Sequence, residues 1–137
     1  MESEDLMLDN LVLNPHGVMC TIDTISRGSV RLSALDDSFK YESFNINEIF
    51  PVELTQSHLF QLGFKKIGTS KDFYLYIKGG KKIFIHTRIR GFTVNKHMNP
   101  LKYFHELQQY CHSRSIKNLF RTYYYNRGKY QTEKFGI

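Results

Sequence analysis

Apolar and polar positions alternate through the first third of the chain, and this alternation predicts strands. Val18, Cys20 and Ile22 alternate with Met19, Thr21 and Asp23. Val30 and Leu32 resume the pattern after an Arg27-Gly28 turn. Phe39, Tyr41, Phe44 and Ile46 follow the Asp36-Asp37-Ser38 turn. Asn14-Pro15-His16-Gly17 reads as the turn that joins the first two strands. Short runs at this spacing predict a β-meander or small open barrel over residues 10–50.

The period then changes. Thr55 suits a helix N-cap, because its hydroxyl can take an orphan amide of the first turn. Leu54 and Leu59 are placed for a hydrophobic staple, and Gly63 for a helix end with positive φ. Phe64 then folds back on the helix end. Residues 72–94 return to period two: Phe73, Leu75 and Ile77 share one face, Tyr74 and Tyr76 the other. Gly79-Gly80 marks a hairpin turn, and Ile83 and Ile85 continue the buried face. Phe92 and Val94 predict a further strand, with Gly91 at a bulge. Asn99-Pro100 predicts the start of a second helix, Asn as the cap and Pro in the first turn. Leu101, Phe104, Leu107 and Cys111 then form one apolar stripe. His105 and Gln108 lie beside it and are expected at the core edge, hydrogen-bonded to the neighbouring sheet.

The expected class is α+β: a β-meander or small open barrel, a short helix, a β-hairpin, a second helix and a basic, aromatic C-terminal arm. Residues 1–114 are expected as one domain, β-rich over 10–50 and helix–hairpin–helix over 51–114. Residues 115–137 are expected as the arm, in which either two further short strands or a flexible segment would fit.

Charge sharpens that last expectation. The chain carries a formal net charge of +6. From Arg114 onward it holds six bases against Glu133 alone, which favours a polyanion or an acidic protein surface as partner. Eleven Phe and nine Tyr supply a core and half-buried surfaces where a ring packs and a hydroxyl stays wet. Cys20 and Cys111 form no CxxC pair and are expected as reduced thiols in a cytoplasmic setting. The acidic start lacks an apolar run, so no secretory leader is expected. No run approaches the roughly 18 apolar residues of a membrane span, so no membrane partner is expected.

Few residues point to catalysis. His105-Glu106 begins like a metalloprotease helix, but position 109 is Gln where that motif needs a second His. His105 and His112 are only two ligands, short of a zinc site. No Ser sits in a Gly-x-Ser-x-Gly elbow. Carboxylates thin out after Glu53, leaving Asp72, Glu106 and Glu133. Neither a metal, a cofactor nor a catalytic residue is expected.

Two strings, taken together, carry a resemblance. Pro51, Leu54, Thr55, Leu59, Gly63 and Phe64 form the first, and His105, Leu107 and Gln108 the second. The chain resembles a family of small uncharacterised proteins of Bacteroidetes phages, prophages and gut metagenomes over roughly residues 10–114. It departs at Gln109, where the family has Asn, and at Tyr110-Cys111, in place of Leu-Tyr. The resemblance implies a phage or prophage origin, a setting in the virion or host cytoplasm, and no established activity.

The function expected is therefore that of a non-enzymatic phage accessory binding protein. The first reading is a virion, capsid-associated or assembly protein docking on another phage protein, with Arg121, Tyr123, Tyr124, Tyr125, Arg127 and Lys129 as the docking arm. The alternative is binding to DNA or RNA through Lys78, Lys81, Lys82, Arg88, Arg90, Arg114 and Lys117, with tyrosines interleaved for stacking.

Overall fold

A computed structural model describes residues 6–77, 80–94, 97–114, 116 and 119–124, with backbone alone at 97–99 and 121–122. The meander is present. Strands β1 (Leu11–Leu13), β2 (Met19–Ser26), β3 (Ser29–Ala34), β4 (Glu42–Asn45) and β5 (Phe50–Pro51) form an antiparallel sheet in the order β4, β3, β2, β1, β5. A turn of 3-10 helix, Ile46–Glu48, links β4 to β5. Helix α1 (Gln56–Gln61) follows. A second antiparallel sheet contains β6 (Lys65–Lys66), β7 (Phe73–Ile77), β8 (Lys81–Arg88), β9 (Gly91–Val94) and β10 (His97–Leu101), in the reverse of chain order. Helices α2 (Phe104–Ser113) and α3 (Leu119–Tyr124) complete the described chain. The class is α+β, with one of the two sheets curled into a half-barrel.

Among the described residues two apolar clusters form, and β1 is the wall between them. Successive strand residues point to opposite faces, so Leu11 enters one cluster and Val12 the other. The Val12 side gathers Cys20, Ile22, Val30, Leu32 and Ala34 and is closed by Leu6, Ile46 and Ile49. The Leu11 side is larger. There α1, α2 and α3 pack Leu59, Phe104, Leu107 and Tyr123 onto Phe73, Ile83, Ile85, Phe92 and Val94 of the second sheet.

The two sheets are joined along residues 52–54. Leu54 N–H donates to the Lys102 carbonyl at 2.8 Å, and Phe104 N–H donates to Val52 O at 2.7 Å. Glu53 and Tyr103 bridge between them. Helix α1 starts as its sequence predicts: Thr55 Oγ1 accepts from the His58 amide, and Gly63 has φ of 97°.

Helix α2 does not start at Asn99-Pro100. Residues 97–101 form β10, which pairs with β9 and shifts register between His97 and Leu101. The cap lies at Tyr103, and Glu106 Oε1 accepts from the Lys102 and Tyr103 amides at 2.9 and 2.8 Å. Two carboxylate bonds at a helix start also favour the helix dipole. The predicted stripe survives the shift: Leu101, Phe104, Leu107 and Cys111 are all buried.

The arm expected from residue 115 does not hold over Leu119–Tyr124. Tyr123 and Tyr124 are 1% and 7% exposed and belong to the larger cluster. Tyr123 packs against Phe104, with ring centroids 4.9 Å apart, and against His58 at 6.0 Å. Gln108 locks this element to the opposite end of the chain. Its Oε1 accepts from Leu11 N–H at 2.8 Å, and its Nε2 donates to Asp9 O at 3.0 Å and to the Tyr124 hydroxyl. The Tyr124 hydroxyl in turn donates to Asp9 O. The expected role of Gln108, bonding from helix to sheet, is thus observed, and α3 shares it.

A candidate nucleic-acid interface on the second sheet

Strand alternation decides which side chains of the second sheet meet solvent. Phe73, Ile85 and Val94 stand in register and face the helices. The residues between them face the other way. On that outer face Lys65, Tyr74 and Phe84 form one row, and Tyr76 and Lys82 the next. On the other side of the Phe84 row, His86 and Thr93 form a third, followed by Arg88 at the end of β8. From Lys82 to Arg88 the face runs about 20 Å along β8.

Its rings are open to solvent. Tyr76 is 60% exposed and Phe84 37%, and Tyr74 is half-buried. Tyr74 and Tyr76 meet edge to face, with centroids 5.4 Å apart. Lys82 Nζ lies 4.5 Å from the Tyr76 centroid and 5.7 Å from that of Tyr74. The cation is thus held beside the rings by their quadrupoles. Lys65, Lys82 and Arg88 are all exposed. A carboxylate borders the face: Asp72 Oδ2 lies 3.3 Å from His86 Nδ1, and Asp72 Oδ1 accepts from the Thr87 amide at 3.1 Å. Partial burial would raise the Asp72 carboxyl, but His86 and the Thr87 amide outweigh it and hold it below the usual range.

Charge divides by sheet more than by tail. Before residue 55 the chain holds ten acids and three bases; from there on it holds three acids and sixteen bases. The second sheet therefore sits in the basic half of a strongly polar molecule, a field that draws in polyanions.

Of the bases expected to meet nucleic acid, Lys82 and Arg88 share this face. Lys81 is exposed at the start of β8, paired with Ile77, and Arg90 is exposed in the β8–β9 turn. Arg114 is exposed at the end of α2, its guanidinium 5.5 Å from the Tyr110 centroid. Lys78 and Lys117 lie outside the described residues, as do Tyr125, Arg127, Lys129 and the Arg121 side chain. Tyr123 and Tyr124, expected as docking residues, are instead core residues. Phe84 and Lys65 were missed. The alternation of β8 puts Phe84 opposite Ile83 and Ile85, which was the available signal; Lys65 sits in a two-residue strand that gives none.

The two cysteine thiols are buried. Burial, aided by Asp36, pushes the Cys20 thiol up to about 12, and burial alone pushes Cys111 up to about 12. Such thiols are small core residues and poor nucleophiles. His105 is buried, its ring stacked on Tyr103 at 5.9 Å and 7°. Among the described residues no helix is long and apolar enough to cross a membrane. No protein-family model matches the chain, nor does any curated protein or solved structure.

Proposed function

We propose that the protein acts by binding and not by catalysis, and that its ligand is a single strand of DNA or RNA laid across β6 to β9. One observation carries the reading: Tyr74, Tyr76 and Phe84 share a solvent-facing sheet surface with Lys65, Lys82 and Arg88. Rings on a sheet stack unpaired bases, at about 1–3 kcal/mol per base, while cations beside them take the phosphates. A duplex hides its base faces and would use only the cations. The resemblance to phage proteins supports a setting in the virion or host cytoplasm.

Anisotropy of a labelled single-stranded oligonucleotide tests this. The three cations of this face should contribute roughly −2 to the log–log salt slope. Tyr76→Ala should weaken binding about 5- to 100-fold, with duplex of the same length bound more weakly. Failure of any oligonucleotide to bind at low salt would reject the reading and favour docking on another phage protein, capsid included, since Tyr and Arg also dominate protein hot spots.

A further inference from the structure

The face ends at a groove. Arg88 stands on the ring-bearing surface, and Arg90, two residues on, lines a cavity of about 520 Å³ where the two sheets join. Ile89 between them is fully exposed. The turn that carries these residues is pressed against β10. Gly91 has φ of 135°, and a Cβ there would overlap the Leu101 carbonyl, so only glycine lets the strands approach this closely. Across the groove stand Lys102 and Tyr103, and Glu53 lines it from the join. Lys102 is exposed, and Tyr103 is 36% exposed with its ring braced by His105. The groove thus offers two cations, one partly open ring and one carboxylate, in a volume suited to a small organic ligand.

We propose that this groove receives the next nucleotide of the strand held on β6 to β9, and that Glu53 selects a base bearing an exocyclic amine. The inference rests on the single-strand reading above. Tyr103 stacks the base, and Arg90 and Lys102 take its phosphate. Glu53 repels phosphate and accepts a hydrogen bond from an amino group, which cytosine has at N4 and thymine lacks. The β8–β9 turn makes the two regions one track, because Arg88 and Arg90 face them from the same hairpin end.

The test compares labelled twelve-nucleotide oligo-dC and oligo-dT on the full chain, across a salt series. The wild type should favour oligo-dC on the order of fivefold or more. Arg90→Ser with Lys102→Ser should reduce the salt slope by roughly 0.7, the share of the one phosphate they hold. Glu53→Leu should make the two oligonucleotides bind alike. Both variants alter exposed side chains, and circular dichroism checks their fold. An unchanged slope in the double variant would overturn the groove while leaving the ring-bearing face intact. An unchanged dC/dT ratio in Glu53→Leu would overturn the base selection. A wild type that binds neither oligonucleotide would overturn both this inference and the reading it rests on.

Discussion

Gln108 is the polar residue on which three distant parts of the chain meet. It accepts from Leu11, donates to Asp9, and holds the Tyr124 hydroxyl. Gln108→Leu keeps much of the volume but leaves the Leu11 amide buried without its acceptor, at an expected cost of about 1–3 kcal/mol in urea melts. Its neighbour Leu107 is fully buried, so Leu107→Ala should cost about 2–5 kcal/mol; a loss below about 1 kcal/mol would place the stripe outside the core. The two cysteines give a pH dependence. Their unfolded thiols ionise near 9.0, whereas burial raises the folded ones to about 12. Between those values the unfolded chain loses protons that the folded chain keeps, so this contribution to stability is full below about pH 9 and falls toward pH 12. Melting temperatures over that range should fall more gently in a Cys20→Ala, Cys111→Ala double variant; an equal fall would contradict the assignment. At this scale the local signals were legible: the Thr55 hydroxyl caps α1, and Gly63, lacking a Cβ, ends it at positive φ. The partners of Gln108 were not, since Leu11 and Asp9 lie 97 and 99 residues away in sequence.

Among the elements, β10 and α3 are ones that local patterns misread. Asn99-Pro100 is a sound cap signal, yet the helix starts at Tyr103, where Glu106 accepts from the Lys102 and Tyr103 amides. What decides between them is the open edge of β9, which takes residues 97–101 as a pairing strand before the helix begins. Proline is tolerated there because β10 ends the sheet. Helix α3 has six residues, too few to be stable alone or to display a period. Its order comes from the rings of Phe104, Phe120 and Tyr123 packing together, and rings in a basic stretch read equally well as an arm. Tyr123→Ala should therefore cost about 3–5 kcal/mol, and a chain ending at residue 118 should melt well below the full chain. A truncated chain with an unchanged melting temperature would restore the arm.

Across the whole molecule, the join at residues 52–54 sets an acidic sheet beside a basic one and leaves the outer face of the second open to solvent. Half of that face was legible. The alternation of Tyr74 and Tyr76 with Phe73, Leu75 and Ile77 separates the two sides, and Lys82 and Arg88 follow on the next strand. The sequence does not say which side the helices cover, and that choice turns the tyrosines from packing residues into a binding surface. The most direct measurement is photocrosslinking of a bound single strand carrying 5-iodouracil, followed by mass spectrometry of the protein peptides. Adducts are expected on Tyr74, Tyr76 and Phe84, lost when duplex replaces the single strand. Adducts confined to β1 to β5, or a bound strand that crosslinks to none of these three rings, would contradict the single-strand reading.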